Sequence, residues 1–178
     1  DICYKGRIIS FGNYDTNSER LFGMMGDGVL FSADREKYIE FCKRENHKTL
    51  LGYGLALSPE QLAAVDKEIA KLMSLTVPWD PPKTVKPKRP GIDKEEPMYA
   101  YKLKQEADGR LYKFTSSKFK TYFVMSTNCV LLADTIVGAA GTDILSVRGF
   151  ISPGTYQGYL DKEFERPHSL VVTKRVYQ

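Results

Sequence analysis

Histidine is nearly absent from this chain, with only His47 and His168 among 178 residues. No CxxC, HExxH or close histidine pair occurs, so zinc sites of the finger or metalloprotease kind lack their ligand spacing, and we set a metal-dependent hydrolase aside. Cysteine is scarce too. Cys3, Cys42 and Cys129 cannot all pair with one another, although Cys3 and Cys42 could form one bridge. No apolar run is long enough for a transmembrane segment. Neither GxGxxG nor GxxxxGK[ST] appears, and the glycine-bearing stretch Thr16 to Asp27 reads as a surface excursion rather than a phosphate loop. A net charge of +4 leaves no footprint for nucleic acid and only a mild bias towards anionic surfaces such as cell-wall polymers.

What is present is ordinary for one globular domain spanning 1–178, with 42% hydrophobic and 27% charged residues. Eleven Tyr and nine Phe favour a β-rich or mixed fold. Cys3 to Phe11 reads as a strand entered through Gly6, and Gly28 to Phe31 as another. Ser32 or Asp34 then caps a helix over Arg35 to Arg44, with Cys42 on its core side. Lys48 to Leu57 reads as a buried strand. Ser58-Pro59-Glu60-Gln61 combines an N-cap, a proline at the first helical position and a capping box, and it opens a helix with the stripe Leu62, Val65, Ile69 and Leu72.

Residues 77–97 differ in kind. They hold six of the nine prolines with Lys83, Lys86, Lys88 and Arg89, and read as a semi-extended loop or linker pinned at one end by Trp79. Met98 to Lys104 and Arg110 to Phe114 read as a hairpin around Asp108-Gly109. After a short stretch from Asp143 to Phe150, Ser152-Pro153 caps a last helix, and Ser169 to Tyr177 forms a closing strand. Helices and strands mix without a regular βα alternation, which points to α+β.

The chemistry-bearing stretch is Lys118 to Gly141. An aromatic β-leaning run leads to Ser126-Thr127-Asn128, and Cys129 then opens a helix capped by Asn128 or Thr127. Unpaired backbone N–H groups and the positive end of the helix dipole favour a thiolate at that position. Cys129, Leu132, Ala133, Ile136 and Ala140 share one face, and Gly141 supplies the stop. The pattern fits a thiol nucleophile, and on spacing alone it fits a buried structural cysteine as well. A nucleophile needs a base. His168 follows Cys129 in the chain order of ordinary NlpC-type peptidases, whereas His47 precedes it as in circularly permuted relatives. Both also read as exposed loop histidines.

Thr127-Asn128-Cys129, with Leu132 and Asp134, resembles the TNC-x-x-L-x-D segment of permuted NlpC-type and lecithin-retinol-acyltransferase-like papain folds. Within that superfamily the likeness is to the bacterial branch that includes the periplasmic domain of lipoprotein transacylases. Gly6 to Tyr14 resembles its G-x-[IV]-x-[SW]-[FYW]-G strand, and Leu55 to Gln61 its strand-to-helix junction, in the same order. The resemblance implies a circularly permuted papain-like α+β fold, with an antiparallel sheet packed against a helix that carries Cys129 at its N-terminus. It further implies a cysteine hydrolase or acyltransferase, without cofactor, acting on amide or ester bonds of cell-wall peptides or lipids outside the cytoplasm. In these families the catalytic histidine comes from a strand ahead of the Gly6-like position, which falls before Asp1. The chain opens at Asp1 rather than Met, which reads as a removed leader or a start inside a longer protein. Asn128, Tyr14, Tyr101 and Tyr122 are candidates for the substrate groove, although tyrosines equally suit a packed β surface. The competing reading is a non-catalytic module of the same fold that docks wall polymer or a protein partner.

Overall fold

The computed structural model describes residues 1–46, 49–86, 91, 93–142 and 152–178. The chain begins with β1 (Ile2–Tyr4) and β2 (Arg7–Gly12), which pair antiparallel. Lys5 and Gly6 both take positive φ, 48° and 74°, so the expected single strand is a hairpin folded at a two-residue turn. A short 3-10 turn at Thr16–Ser18 leads to β3 (Met25–Asp27), β4 (Val29–Asp34) and α1 (Arg35–Asn46). Asp34 rather than Ser32 caps α1, its Oδ1 accepting from Lys37 N at 3.0 Å.

β5 (Leu50–Leu55) is followed by α2 (Pro59–Ser74), whose capping box forms as the sequence implies. Ser58 Oγ accepts from Gln61 N at 3.2 Å, and Gln61 Oε1 accepts from Ser58 N at 2.9 Å. The proline-rich segment is less detached than a linker. It starts as β6 (Thr76–Pro78), continues as a two-residue ladder of β7 (Thr84–Val85) with β8 (Glu96–Pro97), and buries Val85. Trp79 does anchor it, donating its backbone N–H to Leu111 O at 2.8 Å.

Met98 to Lys104 is not a strand. Tyr99–Glu106 forms α3, ahead of β9 (Arg110–Phe114). Ala100, Leu103 and Ala107 recur at helical spacing and are fully buried, so tertiary packing overrides the β-leaning tyrosines. Asp108 and Gly109 then end a helix instead of turning a hairpin. β10 (Thr121–Phe123) pairs with β3, which turns the expected surface excursion before Gly28 into half of a β-ribbon. α4 (Cys129–Gly138), α5 (Pro153–Glu165) and β11 (Val171–Tyr177) complete the described chain. His47, the Pro87–Pro90 run and Asp143 to Phe150 lie outside the described residues.

The fold is α+β. An antiparallel sheet of order β1-β2-β4-β9-β6 is covered on both faces. Strand alternation sends Ile8, Val29, Phe31, Ala33 and Leu111 to one side, against α1 and α3. Phe11, Leu30 and Phe114 go to the other, against Val65 and Leu72 of α2 and Leu132 and Ile136 of α4. β11 pairs with β5 in a separate two-stranded sheet, and Asp161 of α5 binds both strands through Lys174 Nζ at 2.5 Å and Tyr53 OH at 2.6 Å. Among the described residues no helix is long and apolar enough to cross a membrane.

Candidate active site

The turn before α4 is built to fix one residue. Phe123 N donates to Thr127 O and Ser126 N to Phe123 O, both at 3.0 Å, so the chain folds back on itself as it leaves β10. Asn128 is buried beneath this turn and is the N-cap. Its Oδ1 accepts from Val130 N at 3.0 Å and Leu131 N at 3.2 Å, while its Nδ2 donates to Val124 O at 3.1 Å. Asn128 is therefore a positioning residue that locks the helix start, not a wall of the groove as its sequence position suggests. Cys129 occupies the first helical position, half-buried.

The rest of α4 is held from behind. Leu132, Ala133, Ile136 and Ala140 are buried as their spacing implies, with Val130 and Val137 in addition. Gln61, already used by the capping box of α2, donates from Nε2 to Ala140 O at 3.1 Å and ties the far end of α4 to the near end of α2. Cys42 is a core residue at 3% exposure and Cys3 is exposed. All three cysteines are free, so the possible Cys3–Cys42 bridge is not made.

Cys129 lines a cavity of about 540 Å³. Its walls come from the end of β2 (Ser10, Phe11, Gly12) with Asn13 and Tyr14, from Tyr122 of β10, from Tyr38 of α1 and from Asp1. The rim carries Phe22, Gly23, Met24 and Val124. Two of the three tyrosines singled out from the sequence thus meet at the cysteine. Tyr101 instead packs against the core on the α1 and α3 face of the sheet and does not line the cavity.

Burial raises the pKa of Tyr14 well above the ordinary phenol value, only partly offset by its interaction with Ser10. Tyr122 is raised too, by burial and then by its electrostatic interaction with Cys129. Tyr38 is raised by burial, and its OH lies 2.9 Å from Asp1 Oδ2. The phenols around the sulfur accordingly stay protonated at neutral pH, that of Tyr38 donating to Asp1. Asn13 donates from Nδ2 to Gly23 O at 3.3 Å and Met25 O at 3.4 Å, leaving its buried Oδ1 without a partner. Ser10 Oγ is likewise buried without a well-formed hydrogen bond, its polar neighbour being the Tyr14 hydroxyl.

His168 is exposed, at φ 62° in the turn between α5 and β11, and does not line the cavity. Among the described residues no group of three or more His, Cys, Asp or Glu is placed to hold a metal ion. Tyr38 and the Phe22–Met24 rim escape sequence reasoning because only the pairing of β3 with β10 and the docking of α1 bring them to the sulfur. No family model, curated protein or solved structure matches the chain.

Proposed function

We propose that the protein is a cysteine hydrolase or acyltransferase of permuted papain-like architecture, with Cys129 as its nucleophile. The reading rests on one observation: a free, half-buried cysteine at the first position of a firmly capped helix opens onto a cavity lined by hydrogen-bond donors. Sγ attacks the acyl carbon of an amide or ester, and the thiol proton passes to a base. The tetrahedral oxyanion would be held by the Cys129 N–H at the helix start and by a neighbouring donor, drawn from the Tyr122 and Tyr14 phenols that line the same cavity. The amine or alcohol leaves with a proton, and water or a second acceptor releases the acyl group and restores the thiol.

The superfamily resemblance assigns the base to a histidine ahead of the Gly6 strand. Asp1 is in the cavity wall, so a histidine supplied from before Asp1 would arrive on the side where the sulfur is. Cell-wall peptide or lipid-linked acyl groups, met in the cell envelope, are the substrates this reading favours. An activated ester tests it. Incubation with p-nitrophenyl acetate is expected to give an acetyl thioester confined to the Cys129 peptide, absent from Cys129→Ala. Acetylation of Cys3 at an equal rate would sink the proposal.

The second reading, a binding module of the same fold, draws on a specific feature of the cavity. Its walls among the described residues carry three phenols and no imidazole. Such a module would show no thioester while still binding wall polymer.

A further inference from the structure

The mouth of the cavity is shaped by a protruding hairpin. Arg20 and Met25 exchange backbone hydrogen bonds at 2.8 and 3.2 Å, and the four residues between them form the tip. Leu21, Phe22 and Gly23 all take positive φ, at 49°, 56° and 85°, a conformation that bulky side chains rarely adopt. The result is that Phe22 stands wholly in solvent, at 108% relative exposure, with Leu21 at 57% and Met24 at 44%. The neighbouring turn adds Val124 and Met125, and Val124 N donates to Met24 O at 3.1 Å, so the two turns form one apolar surface. Asn13 braces the tip from beneath through its bonds to Gly23 O and Met25 O. A braced, strained turn that holds five large apolar side chains in water marks an interaction site.

Charge is arranged behind this tip. Arg20 sits at its base, while Lys120 is exposed at the other end of the β3–β10 ribbon, three residues or about 10 Å back, with Lys118 exposed two positions beyond it. Among the described residues none of these three cations is in an ion pair. Of the nearby acids, Asp27 binds Lys113 at 2.9 Å, while the Glu19 carboxylate lies beside Gly23, so the three cations outnumber the one acid at the tip.

We propose that this tip seats the protein on an anionic lipid surface, with Leu21, Phe22, Met24, Val124 and Met125 entering the interface and the cations meeting headgroups. A convex apolar tip with cations one headgroup layer behind matches the layering of a bilayer surface. Phe22, Gly23, Met24 and Val124 also rim the Cys129 cavity, so seating turns its mouth towards the lipid. The attachment does not depend on Cys129 chemistry, and its test keeps the two apart.

Co-sedimentation with vesicles of phosphatidylcholine, alone or mixed with phosphatidylglycerol, reads the attachment directly. The wild-type chain is expected to pellet with the anionic vesicles and to be released by salt. Phe22→Ser is expected to weaken binding about tenfold or more at an unchanged melting temperature, since the ring is fully exposed and buries nothing in the fold. Lys118→Glu with Lys120→Glu weakens binding to the anionic vesicles only, and Cys129→Ala binds as the wild type does. The proposal is overturned if the wild-type chain stays in the supernatant or if Phe22→Ser pellets equally. It is also overturned if the tip proves to drive self-association in place of vesicle binding.

Discussion

Gly28 shows how little room single residues leave near the site. A methyl group there would fall 1.8 Å from the backbone oxygen of Phe119, which cannot swing away as a side chain can. Gly28→Ala is therefore expected to lower stability by about 1–3 kcal/mol, read as a lower urea midpoint; an unchanged midpoint would contradict this packing. Tyr14 is equally confined, its ring 5.1 Å from Phe31 and 6.2 Å from Tyr99. Burial raises the pKa of Tyr14 and Tyr38, and pushes Tyr156 up to about 12 with help from the Asp134 charge. In the unfolded chain these phenols ionise near 10, so above that pH the folded state binds more protons and stability falls as pH rises. An alkaline absorbance titration should show a late-ionising set of tyrosines that titrates normally in denaturant. Identical curves in both conditions would refute the burial.

Among the elements, α4 depends on its cap. Asn128→Ala removes the acceptor of two helix-start N–H groups and the donor to Val124 O, and should cost about 1–2 kcal/mol. Asn128→Asp keeps the acceptor, so it should retain more of that stability. It also places a negative charge beside the sulfur, so alkylation of Cys129 is expected to slow while the fold persists. Alkylation as fast as in the wild type would deny the sulfur its dependence on local charge.

Caps were also the most legible feature of the sequence. Ser58 with Gln61, Ser152 and Asn128 all act where local chemistry places them, because each signal is complete within four residues. Met98 to Lys104 misled because its tyrosines and lysines alternate at strand period, while the small residues Ala100 and Ala107 that pack the helix carry little local signal. The Lys5-Gly6 turn was masked by apolar residues on both sides. The rim at Phe22 was invisible for another reason: its meaning depends on a ribbon whose strands are separated by almost a hundred residues.

At the scale of the molecule, the two-faced sheet explains why one cysteine differs from the others. Cys42 is consumed by the α1 face of the core, and Cys3, on an edge strand, is exposed at the margin of a separate cavity that it lines with Arg35. Cys129 alone stands where a helix start, the end of β2 and the β3–β10 ribbon converge on a cavity. Accessibility by itself would rank Cys3 as the most reactive thiol, so reactivity and exposure make opposite predictions. The decisive measurement is the rate of labelling of each cysteine by limiting iodoacetamide at neutral pH, followed by peptide mass spectrometry. The account predicts that Cys129 reacts fastest, ahead of the more exposed Cys3, with Cys42 protected until unfolding. Labelling of Cys129 no faster than Cys3 would contradict it.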